Sequence, residues 1–185
     1  IRMEMGVPGL APSRIGTEAE IEALKHGVAQ FYPMLEGYPV LSEEASRFVK
    51  NFMDVDIRPE GIIPTVGAMQ ASYVAFMALT ECHKGKDTIL FIDPGFPVQK
   101  TQLEVIGKPY QTFDIYEYRE EKLEAKLREY LDRGNIAGIV YSNPNNPSWV
   151  CLTDFELQVI GKLATEYDTI ILEDLAYFAM DFRKD

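Results

Sequence analysis

A carboxylate and a phenol follow the last apolar run of the sequence. Asp174 ends the run TIILED, and Tyr177 comes three residues later. A carboxylate that leaves a dry strand needs a compensating partner, because an unpaired buried charge is costly. A cationic ligand atom would supply that partner, while the plain alternatives are a solvated acid at a strand end or a helix cap. Glu173 alternates onto the other face of the strand, and we expect a structural role for it.

A stiff loop follows the preceding apolar run, IAGIVY, and reads SNPNNPS over residues 142–148. Proline fixes its own φ and pushes the residue before it out of the α region, so this loop cannot be helical. Two Asn-Pro bonds in so short a loop also raise the chance that one of them is cis. Asparagine and proline are common in ordinary turns, so the alternatives are a plain turn and a loop that holds a side chain in a fixed place.

Two further groups are suited to ligand binding. Gly67, Ala68 and Met69 lie where an apolar run turns into a helix, and small residues there leave the first N–H groups of the helix bare. A phosphate fits such a place, because unpaired donors and the helix dipole act together, although small residues also serve packing. Phe96, between Pro94 and Pro97, offers a rigidly held ring that could stack on a flat ligand or simply pack.

These groups require elements that bring them together. From Ile62 onward, the short apolar runs IIPTV, TILFI, YQTF, IAGIVY and TIILE alternate with longer segments of helical periodicity. This pattern predicts an α/β fold, a mostly parallel sheet with helices on both faces. Ligands of open α/β sheets bind beyond the carboxyl ends of the strands. We therefore expect the four groups to face a common crevice.

The remaining elements are predicted to be helices. The segment TEAE at residues 17–20 has the form of a capping box and would open a helix reaching about Phe31. A second helix is predicted from about Leu41 to Met53, and TDFE at residues 153–156 is another capping box. After Met69, one helix carries an apolar stripe that we expect to face the core: Ala71, Val74, Ala75, Ala78 and Leu79.

The composition excludes several classes of protein. With 46% hydrophobic residues, a chain of 185 residues can bury a sizeable core. A net charge of −11 and the lack of a basic run argue against nucleic acid or an anionic membrane as a partner. Cys82 and Cys151 have no metal-ligand spacing, which predicts a reduced, cytoplasmic protein without a metal site. The chain opens on Ile1 and stops soon after an apolar run, so we expect it to be part of a longer protein.

Taken together, these groups match the needs of one small molecule, pyridoxal 5′-phosphate. They offer a phosphate-binding turn, an aromatic ring, an amide and a phenol for an oxygen, and a carboxylate for a protonated ring nitrogen. At this point the chain resembles the class I/II aminotransferases, the fold-type I pyridoxal-phosphate enzymes of the aspartate aminotransferase kind. The resemblance covers nearly all of the 185 residues, as roughly the first half of a family member.

The resemblance implies roles for the cofactor-binding residues. PTVGAMQ is similar to the phosphate-binding turn, formed here by Gly67, Ala68 and Met69. DPGFPVQ resembles the loop whose aromatic residue, here Phe96, stacks on the pyridine ring. In SNPNNPS, Asn146 would contact the phenolic oxygen of the cofactor, and the prolines would fix it there. In LEDLAY, Asp174 would pair with the pyridine nitrogen and Tyr177 would share the phenolic oxygen.

The resemblance also implies a dimer and a domain division. FYPMLEGYPVL is similar to the family segment in which a tyrosine, here Tyr32, reaches the cofactor phosphate of the neighbouring subunit. In the loop that opens the chain, Gly6 would lie against the substrate. Residues 1–55 would then form an N-terminal helical segment with the substrate and dimer loop. Residues 56–185 would form part of the large, cofactor-binding domain.

The sequence departs from the family pattern at two positions, and the catalytic lysine of the family is not found in it. Trp149 stands where the family usually has glycine, and Gly9 stands where an acidic residue is common. The lysine that forms the Schiff base, and the arginines that bind the substrate carboxylate, are expected beyond Asp185. Lys184 is too close to Tyr177 to be that lysine. The catalytic residue is therefore not identified, and we expect the 185 residues alone to be inactive.

The implied activity is transfer of an amino group between an amino acid and a 2-oxo acid. A lyase or synthase of the same fold, such as a carbon–sulfur lyase, is the first alternative, and dependence on an acceptor 2-oxo acid distinguishes the two. A second alternative is the effector domain of a transcription regulator, which would need a DNA-binding module before Gly6. A plain α/β domain without a cofactor would require four coincidences at the strand ends.

Overall fold

The computed structural model describes residues 10–178 of the chain. The chain divides into two compact units, one ending at Pro64 and the other beginning at Thr65. The domain boundary predicted from the sequence lies between residues 55 and 56. Gly6, Gly9 and Lys184 lie outside the described residues.

The first unit is helical, as predicted. Helix α1 spans Arg14–Lys25 and helix α2 spans Pro39–Met53, with short 3-10 turns at Val28–Gln30 and Pro59–Gly61. The predicted start of α1 is wrong, because Ser13 caps the helix and its Oγ accepts a hydrogen bond from the Gly16 N–H at 3.4 Å. The Thr17 hydroxyl instead donates to the Ser13 carbonyl from within the first turn. The helix ends before Phe31, because Gly27 has a left-handed φ of +82°.

The second unit is built on a parallel sheet. Strands β1 (Thr88–Asp93), β2 (Tyr110–Asp114), β3 (Ile136–Ser142) and β4 (Ile170–Asp174) lie in the order β2-β1-β3-β4, with every pair parallel. This confirms the predicted fold class. The chain runs from β1 to β2 in one direction and reaches β3 on the other side of β1. The strand order therefore reverses between β1 and β3, where open α/β sheets bind ligands.

One predicted strand is not formed. The run IIPTV, residues 62–66, follows the second 3-10 turn and pairs with no strand among residues 10–178. Ile63 is 74% exposed and Val66 is 88% exposed. This apolar run is therefore not buried as a strand inside the sheet would be. Pro64 also has no N–H to donate to a ladder.

Helices cover both faces of the sheet. Helices α3 (Gly67–Cys82) and α4 (Pro97–Ile106) pack on the face that carries Ile89 and Phe91, through Phe76, Leu79 and Leu103. Helices α5 (Glu121–Leu131) and α6 (Asp154–Glu166) pack on the other face, which carries Leu90, Ile92 and Ile139. Consecutive strand residues point to opposite faces, which gives both helix layers an apolar surface.

The helix faces agree with the predictions only in part. In α6 the capping box is confirmed: the Thr153 hydroxyl accepts from the Glu156 N–H, and the Glu156 carboxylate accepts from the Thr153 N–H. In α3 the predicted stripe is wrong, since Leu79 is its one buried member. The buried face of α3 carries Ser72, Phe76, Leu79 and Thr80.

No helix among residues 10–178 is long and apolar enough to cross a membrane.

The packing of α3 against the sheet depends on a glycine in β3. A Cβ atom at Gly138 would lie 3.1 Å from Leu79 Cδ1 and 3.4 Å from the Ile170 carbonyl oxygen. We expect Gly138→Ala to lower the free energy of unfolding by about 1–3 kcal/mol, because the core is overpacked. A Cβ atom at Gly161, in α6, would have no heavy atom within 4 Å. Gly161→Ala is therefore expected to raise the free energy of unfolding by about 0.5–1 kcal/mol. Urea denaturation of the full-length protein measures both, and equal effects would contradict the packing argument.

Candidate functional site

A cavity of about 170 Å³ lies at the carboxyl ends of β1, β3 and β4. Its walls come from the start of α3, the loop before α4, the loop after β3 and the turn after β4. The cavity brings together five of the residues predicted from the sequence and two that were not predicted. The lining residues are Ala68, Phe96, Ser142, Asn146, Asp174, Ala176 and Tyr177.

The start of α3 forms one wall. Gly67 has a φ of +73°, which a side chain would strain, and no side chain caps this helix within the described chain. Gly67, Ala68 and Met69 are exposed, so the N-terminal turn is open to an anion. Ala68 lines the cavity, whereas Gly67 and Met69 flank it along the helix without lining it.

The Asp174 carboxylate is held by two neutral donors. The Gln99 amide donates to Oδ2 at 3.0 Å, and the Ala176 N–H donates to Oδ1 at 3.1 Å. Among residues 10–178, no cationic side chain forms an ion pair with it. Gln99 is a buried residue of α4, three positions after Phe96, and sequence reasoning assigned it no role. A negative charge at a cavity wall with neutral partners is a suitable partner for a cationic ligand atom.

Asn145 holds the loop after β3 in place. Its amide donates to the Pro94 carbonyl at 2.5 Å and to Ser142 Oγ at 3.1 Å, and its Oδ1 accepts from the Ser148 hydroxyl at 2.6 Å. Asn145 is buried and connects this loop to the loop after β1. Asn146, the neighbouring residue, is left at the cavity wall. The Asn143-Pro144 and Asn146-Pro147 bonds are both cis, whereas the sequence raised the expectation of one.

Two aromatic residues, Phe96 and Tyr177, line the cavity. Phe96 immediately precedes α4, and Pro97 is the first residue of that helix. Tyr177 lies in the turn after β4, where the Phe178 N–H donates to the Leu175 carbonyl at 2.9 Å. Trp149 approaches Tyr177 with an edge contact, at 5.7 Å between ring centroids. The site thus combines a flat apolar ring with an amide, a phenol and a carboxylate.

Comparison with known proteins identifies the family. The family model for aminotransferase class I and II matches residues 5–184. The chain belongs to the class I and II aminotransferases. This confirms the family resemblance predicted from the sequence. The match includes the four motifs PTVGAMQ, DPGFPVQ, SNPNNPS and LEDLAY.

Individual relatives are also named aminotransferases or transaminases, and each is longer than this chain. Aspartate aminotransferase from Pyrococcus horikoshii is 30% identical over 180 residues, which are 96% of this chain and 44% of that protein. Asparagine–oxo-acid transaminase from Streptococcus mutans is 23% identical, over 96% of this chain and 44% of that protein. The solved alanine aminotransferase from Pyrococcus furiosus superposes with a TM-score of 0.81 at 25% identity, over 96% of this chain and 44% of that one. This aminotransferase chain therefore spans less than half the length of these relatives.

Tyr32 and Glu173 of this aminotransferase chain do not line the cavity. Tyr32 belongs to the first unit, where its side chain is fully exposed, and Gly6 lies outside the described residues. Glu173 does not line the cavity, and burial raises its pKa, partly offset by a hydrogen bond from the Asn143 side chain. Within residues 10–178, no group of three or more His, Cys, Asp or Glu side chains could hold a metal ion.

A larger cavity of about 470 Å³ lies in the first unit. Its lining is mostly apolar, with the acids Glu36, Glu43 and Glu60, and it contains none of the predicted site residues. The chemistry for a cofactor is therefore concentrated in the smaller cavity at the strand ends.

Proposed function

We propose that this chain is the cofactor-binding part of a pyridoxal-phosphate-dependent aminotransferase, which moves an amino group between an amino acid and a 2-oxo acid. The observation that carries the proposal is the placement of Asp174 in a strand-end cavity together with Phe96, Asn146 and Tyr177. Membership of the family and the names of the relatives support it.

The donor set around Asp174 suits a protonated pyridine nitrogen. Gln99 and the Ala176 N–H fix the carboxylate without neutralising it. A carboxylate fixed beside a ring nitrogen favours the protonated, charged form of that nitrogen. The residues present therefore fit the cofactor at its ring nitrogen.

The other walls suit the rest of the same molecule. Phe96 offers a ring face for stacking, and its backbone is restrained by the adjoining Pro97. Asn146 and Tyr177 offer an amide and a phenol to the oxygen on the cofactor ring. The open first turn of α3, with Gly67, Ala68 and Met69, offers backbone N–H groups and the helix dipole to the phosphate.

When bound, pyridoxal phosphate supplies an electron sink for a carbanion formed at the Cα atom of an amino acid. The residues described here would bind and orient the cofactor. The cavity contains no lysine among residues 10–178. We assign the cofactor-linking lysine to the part of the relatives' length that this chain does not span. The 185 residues alone are then expected to be inactive.

The proposal extends to the assembly and the substrate. As the family resemblance implies, Tyr32 would reach the cofactor phosphate of a second subunit in a homodimer, and Gly6 would lie against the substrate. Neither nucleic acid nor a membrane is expected as a partner, in keeping with the net charge of −11. The full-length protein is expected in the cytoplasm, in keeping with Cys82 and Cys151, which show no CxxC or metal-ligand spacing in the sequence.

The test is incubation of the full-length protein with pyridoxal phosphate, reduction with borohydride, and measurement of the intact mass. We expect one phosphopyridoxyl group per chain, and no stable stoichiometric adduct with pyridoxal that lacks the phosphate. Amino-group transfer should then require a 2-oxo acid as acceptor. Absence of a specific adduct would refute cofactor binding. Turnover without an acceptor would refute the transferase assignment and indicate a lyase.

A further inference from the structure

The backbone at Trp149 has an unusual conformation for its residue type. Its φ is +58°, in the left-handed region that large side chains rarely adopt. Trp149 takes part in the hydrogen bonds of this turn through its backbone: the Trp149 N–H donates to the Asn145 carbonyl at 2.8 Å, beside the bond from the Asn145 N–H to the Val150 carbonyl at 3.0 Å. Glycine or asparagine could make the same bonds at lower steric cost. The turn itself therefore does not account for a tryptophan.

Burial does not account for it either. Trp149 is 49% exposed, so about half of the surface of this residue remains in water. Its ring contact within the described chain is with Tyr177, at 5.7 Å between centroids and 71° between planes. This is an edge-to-face arrangement, which aromatic pairs favour. The indole is thus directed at a residue of the cavity wall.

Tyr177 needs such a contact to have a defined orientation. It lies beyond the end of β4, in a single turn, and its hydroxyl makes no hydrogen bond to any of residues 10–178. A phenol in a turn that lacks a hydrogen bond can take several side-chain rotamers. Packing against Trp149 restricts that choice, and the Tyr177 ring lines the cavity.

We propose that Trp149 is a positioning residue for Tyr177. The contact with the indole fixes the Tyr177 ring at the wall of the strand-end cavity, and the phenol is thereby held ready for a ligand oxygen. The contact also joins the loop after β3 to the turn after β4. The effect on cofactor affinity rests on the proposed function, whereas the restriction of the Tyr177 ring does not.

The first experiment measures the restriction without a cofactor. The full-length protein is labelled with fluorotyrosine, and the Tyr177 signal is assigned by its loss in Tyr177→Phe. Fluorine relaxation is then compared in Trp149→Asn, which accepts a positive φ and has no ring, and in Trp149→Phe, which keeps a ring. We expect added fast motion of the Tyr177 ring in Trp149→Asn and recovery of most of the restriction in Trp149→Phe. Unchanged relaxation in Trp149→Asn would overturn the proposal.

Phe155→Asn is the matched control. Phe155 is 46% exposed, close to the exposure of Trp149, and it lies in the first turn of α6 and does not line the cavity. Its loss removes a comparable half-exposed ring from the same unit. We expect Tyr177 relaxation to stay as in the unmodified protein. An equal change in Phe155→Asn would show a general loosening of the unit and would overturn a specific role for Trp149.

The second experiment measures pyridoxal phosphate binding by titration. An aromatic pair of this kind corresponds to roughly a two- to tenfold change in the dissociation constant, so we expect Trp149→Asn to weaken binding by that factor. In a Tyr177→Phe background the same change should have a smaller effect, because the phenol that Trp149 orients is gone. Equal effects in both backgrounds would overturn the coupling. If the unmodified protein binds no cofactor, the proposed function fails, while the fluorine experiment still decides the positioning role.

Discussion

Asp174→Asn is expected to weaken pyridoxal phosphate binding by a factor on the order of 10² to 10³, because it removes one partner of a shielded charge pair. The asparagine keeps the size of the side chain and can still accept from the Ala176 N–H. It carries no negative charge, so it no longer favours a protonated pyridine nitrogen. Its amide group would also oppose the donating amide of Gln99, which lies 3.0 Å from Oδ2. Titration of the full-length apoprotein with pyridoxal phosphate measures the dissociation constant.

Asp114→Asn is the matched control for this experiment. Asp114 also ends a strand, β2, and its carboxylate accepts from a backbone N–H two residues later, that of Tyr116, at 2.9 Å. Asp174 makes the same local bond to Ala176, but Asp114 does not line the cavity. We expect Asp114→Asn to leave cofactor affinity unchanged. Wild-type affinity in Asp174→Asn would show that Asp174 does not pair with the cofactor.

Glu156→Gln is expected to lower the free energy of unfolding by about 2–4 kcal/mol, since breaking a buried ion pair leaves the other charge without compensation. Glu156 is fully buried, and its carboxylate accepts from Arg119 at 2.5 and 2.7 Å. It also accepts from the N–H groups of Glu120 and Thr153, at 3.0 and 2.9 Å. Arg119 is 31% exposed, which keeps the expected loss below that of a fully buried pair. Urea denaturation of the full-length protein measures it.

The same residue predicts a pH dependence. Burial raises the pKa of Glu156, but Arg119 and the two backbone N–H groups lower it more, and the net shift is downward. A carboxyl with a lowered pKa in the folded state contributes stability above its unfolded pKa and loses it as the pH falls through the folded value. The difference in stability between the unmodified protein and Glu156→Gln should therefore shrink as the pH falls below about 4.3.

Glu129→Gln controls for the loss of a carboxylate as such. Glu129 pairs with Lys126 at 2.7 Å and is 59% exposed. The carboxylate of this pair is exposed to water, and pairs of this kind contribute about 0–1 kcal/mol, so we expect a small change. Equal losses in Glu129→Gln and Glu156→Gln would contradict the argument from burial.

The strands were predictable where an apolar run has a neighbour to pair with. TILFI, YQTF, IAGIVY and TIILE all contribute to the parallel sheet, whereas IIPTV does not, because periodicity cannot tell whether a partner strand is present. The buried face of α3 was missed for a related reason. Its sequence is apolar nearly all round, so the stripe is decided by contact with the sheet at Phe76 and Leu79.

The cavity was predictable in part from the rule that parallel strands end at one edge, which applies to the loops after β1, β3 and β4 but not to the start of α3, because IIPTV forms no strand. Ala68, Phe96, Asn146, Asp174 and Tyr177 all line it. The residues that hold these groups were not predicted, because their contacts join distant parts of the chain. The side chain of Gln99 bonds Asp174, and that of Asn145 bonds the Pro94 carbonyl. A polar residue soon after a strand end is the signal that could have identified Gln99.

The loop after β3 also has a consequence for the chemical durability of the protein. Asparagine deamidates when the backbone nitrogen of the next residue attacks its side-chain carbonyl, which requires an N–H. Asn143 and Asn146 each precede a proline, which has no N–H, so this cyclisation is blocked at both. Asn145 precedes a residue with an N–H, but its side chain is buried and hydrogen-bonded at both the oxygen and the nitrogen. The loop that carries Asn146 is thereby protected against deamidation at each of its three asparagines.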